Sequence, residues 1–301
     1  MAVYARGYRA YEGTLRSPPG FWIIFREGLT AALRRKGVRW LLMLTSFTIL
    51  ITIGIIYVQF VVQKQMNQVS GGMVGDMLFQ FNDVLSGFHN ITTLFVCLSA
   101  ILVGAGLVAD DLRTRGLALY LVRPILPIDY AIGKALILPA LLIPLALIPG
   151  LLLLLLVALW QPPGETWSFL VANANIAWRV VGFYTIAATS LTGLMLTLSS
   201  RTARRGLVIG MAAAVLFGGP FVRAIGRFVD GLAGDVMRSL DIMANMTRGL
   251  TLARQRPEFP MERWEREWLP TELAVIVVAV SLLALGLYLA WRRARNVEVS
   301  G

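Results

Sequence analysis

Histidine and cysteine are almost missing from this chain: His89 is the only histidine and Cys97 the only cysteine. One cysteine excludes an internal disulfide and any thiolate metal cluster built within one chain. One histidine excludes a His-rich metal site and most hydrolytic triads; His89 reads as a polar residue at a helix entrance. Charge is scarce as well, at 15% of residues, where soluble domains hold about a quarter. No phosphate-binding loop is present. The one Gly-Lys pair, Gly133-Lys134, lacks the upstream glycine and is followed by Ala135. A nucleophile elbow and a paired-histidine zinc helix are also missing, and the basic, aromatic first 39 residues do not read as a signal peptide.

What the chain has is apolar length. Hydrophobic residues make up 57% of it. Six runs approach or exceed the ~20 helical residues that cross a bilayer: Trp40–Val62, Asn90–Ala109, Ile132–Trp160, Trp178–Ser199, Gly206–Phe221 and Thr271–Trp291. They are continuous rather than alternating, so they predict helices and not barrel strands. The expected architecture is an all-α polytopic membrane protein. Residues 1–39 form a cytosolic N-terminus, and 40–301 a single six-helix domain with an external segment over 222–270.

The net charge of +11 is distributed by topology. Arg6, Arg9, Arg16, Arg26, Arg34, Arg35, Lys36 and Arg39 precede the first span. Arg113, Arg115, Arg123 and Lys134 lie between the second and third, Arg201, Arg204 and Arg205 between the fourth and fifth, and Arg292, Arg293 and Arg295 after the sixth. The alternate short loops hold only Lys64. That positive-inside pattern predicts both termini in the cytoplasm, with attraction to anionic lipid rather than to nucleic acid.

Phe21–Gly37 predicts an amphipathic helix with Trp22, Phe25, Leu29, Ala32 and Leu33 on one face. Such a helix suits the membrane interface, or else the protein's own cytosolic surface. Pro139, Pro144 and Pro149 invite kinks in the third span. In the fifth, Gly206, Gly210, Ala214 and Gly218 form a smooth stripe for close helix packing, and Gly218-Gly219-Pro220 is expected to end the helix. Beyond it, Val229, Leu232, Val236, Leu240 and Met243 recur at helical spacing, and Trp264 and Trp268 suit the outer headgroup belt. Ionisable residues are nearly missing from the spans, with Lys134 and Arg179 at helix entrances where long side chains snorkel. This disfavours ion-driven transport, which keeps a charged relay in the bilayer. The hydroxyls of Thr45, Ser46, Thr48, Thr52, Ser99, Thr185, Thr189, Ser190 and Thr192 are expected to bond their own helix backbone.

The most distinctive stretch is Ala109–Lys134, ADDLRTRGLALYLVRPILPIDYAIGK. It opens on Asp110-Asp111, continues through Leu112–Leu121, turns at Val122-Arg123-Pro124-Ile125 and closes on Tyr130-Ala131-Ile132-Gly133-Lys134. This order resembles the permease subunit of a type-2 ATP-binding-cassette (ABC) exporter, as does the opening Tyr8-Arg9-Ala10-Tyr11-Glu12-Gly13. The resemblance implies a cytosolic coupling helix that docks on a separate ABC ATPase, with a second permease copy or a sister permease completing the unit. ATP and Mg would sit on the partner, with no cofactor in this chain, no metal and no catalysis of its own. The docking residues so implied are Asp111, Arg113, Arg115, Leu117, Leu119, Tyr120 and Arg123. The location implied is the bacterial cytoplasmic membrane, and the apolar spans would suit a lipid, amphiphile or peptide cargo. Two other classes share the topology. One is a non-transporting scaffold or accessory subunit. The other is an intramembrane lipid enzyme in which Asp110-Asp111 hold a divalent cation.

Overall fold

The computed structural model describes residues 19–70, 81–114, 116, 125–161, 164–172, 174–226, 228–229, 231–243 and 272–299. Every regular element among them is a helix, with no strand. In chain order these are α1 (Gly20–Arg34), α2 (Lys36–Ser70), α3 (Phe81–Gly104), α4 (Ala109–Thr114) and α5 (Pro127–Leu159). They continue with α6 (Thr166–Ala172), α7 (Ala174–Ser199), α8 (Arg205–Ile225), α9 (Leu232–Ser239) and α10 (Glu272–Val299).

Among the described residues six stretches are long and apolar enough to cross a membrane: Lys36–Val62, Gly87–Thr114, Pro127–Leu159, Val180–Ser199, Arg205–Ile225 and Val275–Asn296. The protein is a multi-pass membrane protein. Its spans are not equivalent. The second and fourth are 78% and 71% buried within the chain, whereas the first, fifth and sixth are 17%, 22% and 22% buried. α3 and α7 therefore make the centre. Cys97 and Ala100 of α3 pack there with Leu138 and Leu142 of α5 and with Leu191 and Met195 of α7.

Glycine sets two of the closest crossings. α7 and α10 share the most extensive contact in the bundle. A Cβ on Gly193 would stand 2.3 Å from the backbone of Leu282, and one on Gly286 would stand 2.7 Å from the Gly193 carbonyl. Gly104 does the same between α3 and α7, where a Cβ would come within 2.7 Å of Met195 Cβ. Backbones this close gain dispersion contacts that a lipid tail could not match.

The stripe Gly206, Gly210, Ala214 and Gly218 is not one of these crossings. Among the described residues nothing lies within 4 Å of a Cβ built on any of its three glycines. The face of α8 that meets the rest of the chain carries Val208, Ala212, Leu216 and Gly219 instead. Nor does Gly218-Gly219-Pro220 end the helix, which runs on to Ile225. A proline removes one hydrogen bond, and this extra turn has another anchor. Asp241, buried beside Gly219, pairs with Arg223 at 3.5 Å.

Three prolines leave α5 one helix of 33 residues. Of the nine hydroxyls above, all but Ser99 bond the carbonyl four residues earlier in their own helix. Each bonded hydroxyl is thus satisfied within its own helix.

α1 ends earlier than its pattern suggests, at Arg34, and it sits on α5. Ile24 and Ala32 are buried, and Gly28 lies so close to Ile137 that a Cβ would come within 2.2 Å of its Cδ1. Trp22 and Leu33 remain exposed. The helix thus packs on its own protein and still presents an apolar edge outward.

Candidate functional site

The ends of α1, α3, α5 and α8 converge around the start of the Ala109–Lys134 segment, and charge holds them there. Asp111 lies at 2.7 Å from Lys134 Nζ, with both side chains largely buried. The Tyr130 hydroxyl donates to the same carboxylate at 2.8 Å, and Lys134 stands 5.5 Å from the centre of the Tyr130 ring. Asp110 turns the other way, to Arg35 at 3.1 Å, with the exposed Arg113 at 4.0 Å. Burial, and next the charge of Arg205, push the Arg35 guanidinium below the usual arginine value, while Asp110 opposes them. It stays a cation throughout the physiological range.

Why these side chains meet is legible in the backbone. α3 stops at Gly104; Ala105 still donates to the Ile101 carbonyl at 3.0 Å, and the two amides after it close shorter turns, Gly106 donating to the Val103 carbonyl at 3.2 Å and Leu107 to Gly104 at 3.1 Å. Regular i→i−4 bonding returns where Leu112 donates to Val108 at 2.9 Å. The break leaves the Leu102 carbonyl without its helical donor. Arg35 Nη1 supplies one bond at 3.1 Å and Arg205 Nη2 another at 2.7 Å. Cations at a helix carboxyl end are favoured by the dipole as well as by the hydrogen bond. Gly106 makes room, since a Cβ there would lie 2.3 Å from Asp110 Oδ2. A cavity of about 280 Å³ opens beside these groups, lined by Glu27, Arg35, Asp110, Asp111 and Lys134 among others.

Of the residues expected to dock a partner, Asp111 and Arg113 are described. Asp111 faces inward onto Lys134 and Tyr130, whereas Arg113 projects outward. Arg115, Leu117, Leu119, Tyr120 and Arg123 lie outside the described residues, as do Trp264 and Trp268. Lys134 does not snorkel as its position suggests: its side chain is 9% exposed and ends on Asp111. The two carboxylates answer separate cations, Asp110 turning to Arg35 and Asp111 to Lys134.

The sequence reading missed the roles of Arg35 and Arg205. In the sequence both are only topology charge. No local signal reveals their common target, because Leu102 is an ordinary apolar residue whose carbonyl matters only once the helix breaks. At the other end of the bundle His89 is more than a polar residue at a helix entrance. It is fully buried and shares a hydrogen bond with Tyr184, linking α3 to α7.

Neither a family model nor a curated protein matches this sequence. The geometry and the Ala109–Lys134 motif therefore carry the functional argument.

Proposed function

We propose that this chain is the permease subunit of an ABC exporter in a bacterial cytoplasmic membrane, with both termini cytoplasmic. A separate cytosolic ATPase would drive it, together with a second copy or a sister permease. The observation that carries this reading is the ion-paired base of the Ala109–Lys134 segment. Asp111 is fixed to the start of the third span and Asp110 to α1, while Leu102 just before them is tied to the fifth span. A push on the segment would therefore reach several helices at once. The chain holds no phosphate-binding loop to generate such a push itself, so the energy comes from a partner.

In this reading Arg113, Arg115, Leu117, Leu119, Tyr120 and Arg123 form the docking surface, an apolar centre with a charged rim. Asp111 holds that surface in place from behind. The cargo is an amphiphile, lipid or peptide, moved between subunits rather than along a charged relay.

Co-purification from the native membrane tests the partner, and ATP turnover tests the surface. An ATPase subunit should accompany the chain. Tyr120→Glu and Arg123→Glu should each reduce coupled ATP hydrolysis severalfold, because either places an acid in the contact. Wild-type assembly and turnover in both variants would refute the docking surface. Capture of an envelope assembly without an ATPase would favour the accessory-subunit reading.

A further inference from the structure

We infer that Gly104–Val108 is a two-state hinge in the second span, and that Arg205, the first residue of α8, sets its state. In an unbroken helix the Leu102 carbonyl would accept from the Gly106 amide. Here Gly106 donates to Val103 instead, and Leu102 accepts from Arg35 and Arg205. The same carbonyl thus has two alternative sets of donors, one intrahelical and one borrowed from neighbouring elements. Straightening the span would give Leu102 back to Gly106 and turn the arginines away.

The two arginines are not equal in this exchange. Arg35 has a second acceptor besides Leu102, the Asp110 carboxylate at 3.1 Å. Among the described residues Arg205 has no carboxylate partner, and Leu102 is its one hydrogen-bond acceptor. It loses most on straightening, so it weights the broken state. Gly104 and Gly106 permit that state sterically, the first against Met195 and the second against Asp110 and Arg35. Because Arg205 opens the fifth span, a shift of α8 relative to α3 would alter the support of the break and so the direction in which α4 leaves the membrane. This goes beyond the proposed function and holds with or without an ATPase.

Amide hydrogen exchange on the full chain in lipid nanodiscs tests the hinge, because it separates a switch from a mere structural prop. Removing a prop speeds exchange nearby; removing the residue that holds a helix open slows it as ordinary helix bonds form. Arg205→Met should slow exchange over 105–109 by about tenfold. Arg205→Lys, which keeps a cationic donor, should return it toward the wild-type rate. Arg204→Met removes the same charge from an exposed neighbour and should change nothing. Should Arg205→Met fail to survive extraction, Arg205→Gln, with a shorter and neutral donor, should slow the same amides. Faster or unchanged exchange in the variants at 205, or equal slowing in Arg204→Met, would overturn the inference.

Discussion

Lys134→Met isolates the most buried ion pair of the site. The two charges stand 2.7 Å apart, with side chains 9% and 16% exposed. At an effective dielectric of about 20 their attraction is about 6 kcal/mol, most of it offset by the desolvation of both ions. The intact pair is therefore worth little net, but a broken one is costly. Methionine keeps the aliphatic stem of Lys134 and leaves Asp111 largely buried with the Tyr130 hydroxyl. The expected loss is ~3–5 kcal/mol. Asp111→Leu should cost a similar amount by stranding Lys134. The double variant Asp111→Leu/Lys134→Met strands neither and should lie within ~1 kcal/mol of wild type. Reversible unfolding in mixed detergent micelles, followed by tryptophan fluorescence, measures all three. Arg113→Met supplies the scale: that pair is 4.0 Å apart and its arginine is 67% exposed, so its loss should cost under ~0.5 kcal/mol. A single substitution at Lys134 no more costly than Arg113→Met would refute the assignment. So would a double variant whose loss equals the sum of the two singles.

Two further substitutions probe the bundle. Gly193→Ala should destabilise by at least ~1–3 kcal/mol, because its Cβ would meet the Leu282 backbone and not a mobile side-chain end. Gly210→Ala, with nothing within 4 Å, should instead gain ~0.5–1 kcal/mol of helix propensity; thermal melts of the two variants should move in opposite directions. Tyr184→Phe should cost ~1 kcal/mol by removing the hydroxyl shared with His89, and His89→Phe more, since it leaves the buried Tyr184 hydroxyl without its histidine partner. The same melts read both.

Much of the architecture was legible because membrane spans obey a one-dimensional rule: about 20 apolar residues in a row need no partner to be recognised. All six appear, with ends shifted by a few residues. The shift at the end of α8, from Phe221 to Ile225, arises because Pro220 is not a stop. A proline deletes one bond, and the Asp241–Arg223 pair, which anchors the turn beyond it, joins residues far apart in sequence. Helix contacts were harder to read. A repeated small-residue stripe is visible in a sequence, but tight crossings among the described helices use isolated glycines such as Gly28, Gly104, Gly193 and Gly286. Their partners are set by how whole helices cross, and no local pattern records that. The site was half legible. Asp110-Asp111 and Lys134 stood out by position, yet which acid meets which base depends on α1 lying across α5.

That arrangement bears on how, under the proposed function, a short segment would move a large apolar bundle. Apolar helix contacts resist separation but resist sliding and rotation less, because one packed row can replace another at small cost. Directional contacts are needed where motion must pass from one element to the next in a fixed sense. The described ion pairs fall at the two ends of the bundle: Asp110, Asp111, Arg35 and Lys134 at one, Asp241 with Arg223 at the other. Between them the core is mostly apolar, its buried hydroxyls such as Ser190 and Thr192 bonded to their own helix; toward the second end His89 and Tyr184 add a hydrogen bond from α3 to α7. A bundle polar at its ends and smooth between can transmit a tilt as a rigid lever while its helices slip against one another. In the proposed function Lys134 and Asp111 would be the fixed joint of such a lever, and Leu102, shared by Arg35 and Arg205, the one inferred to change.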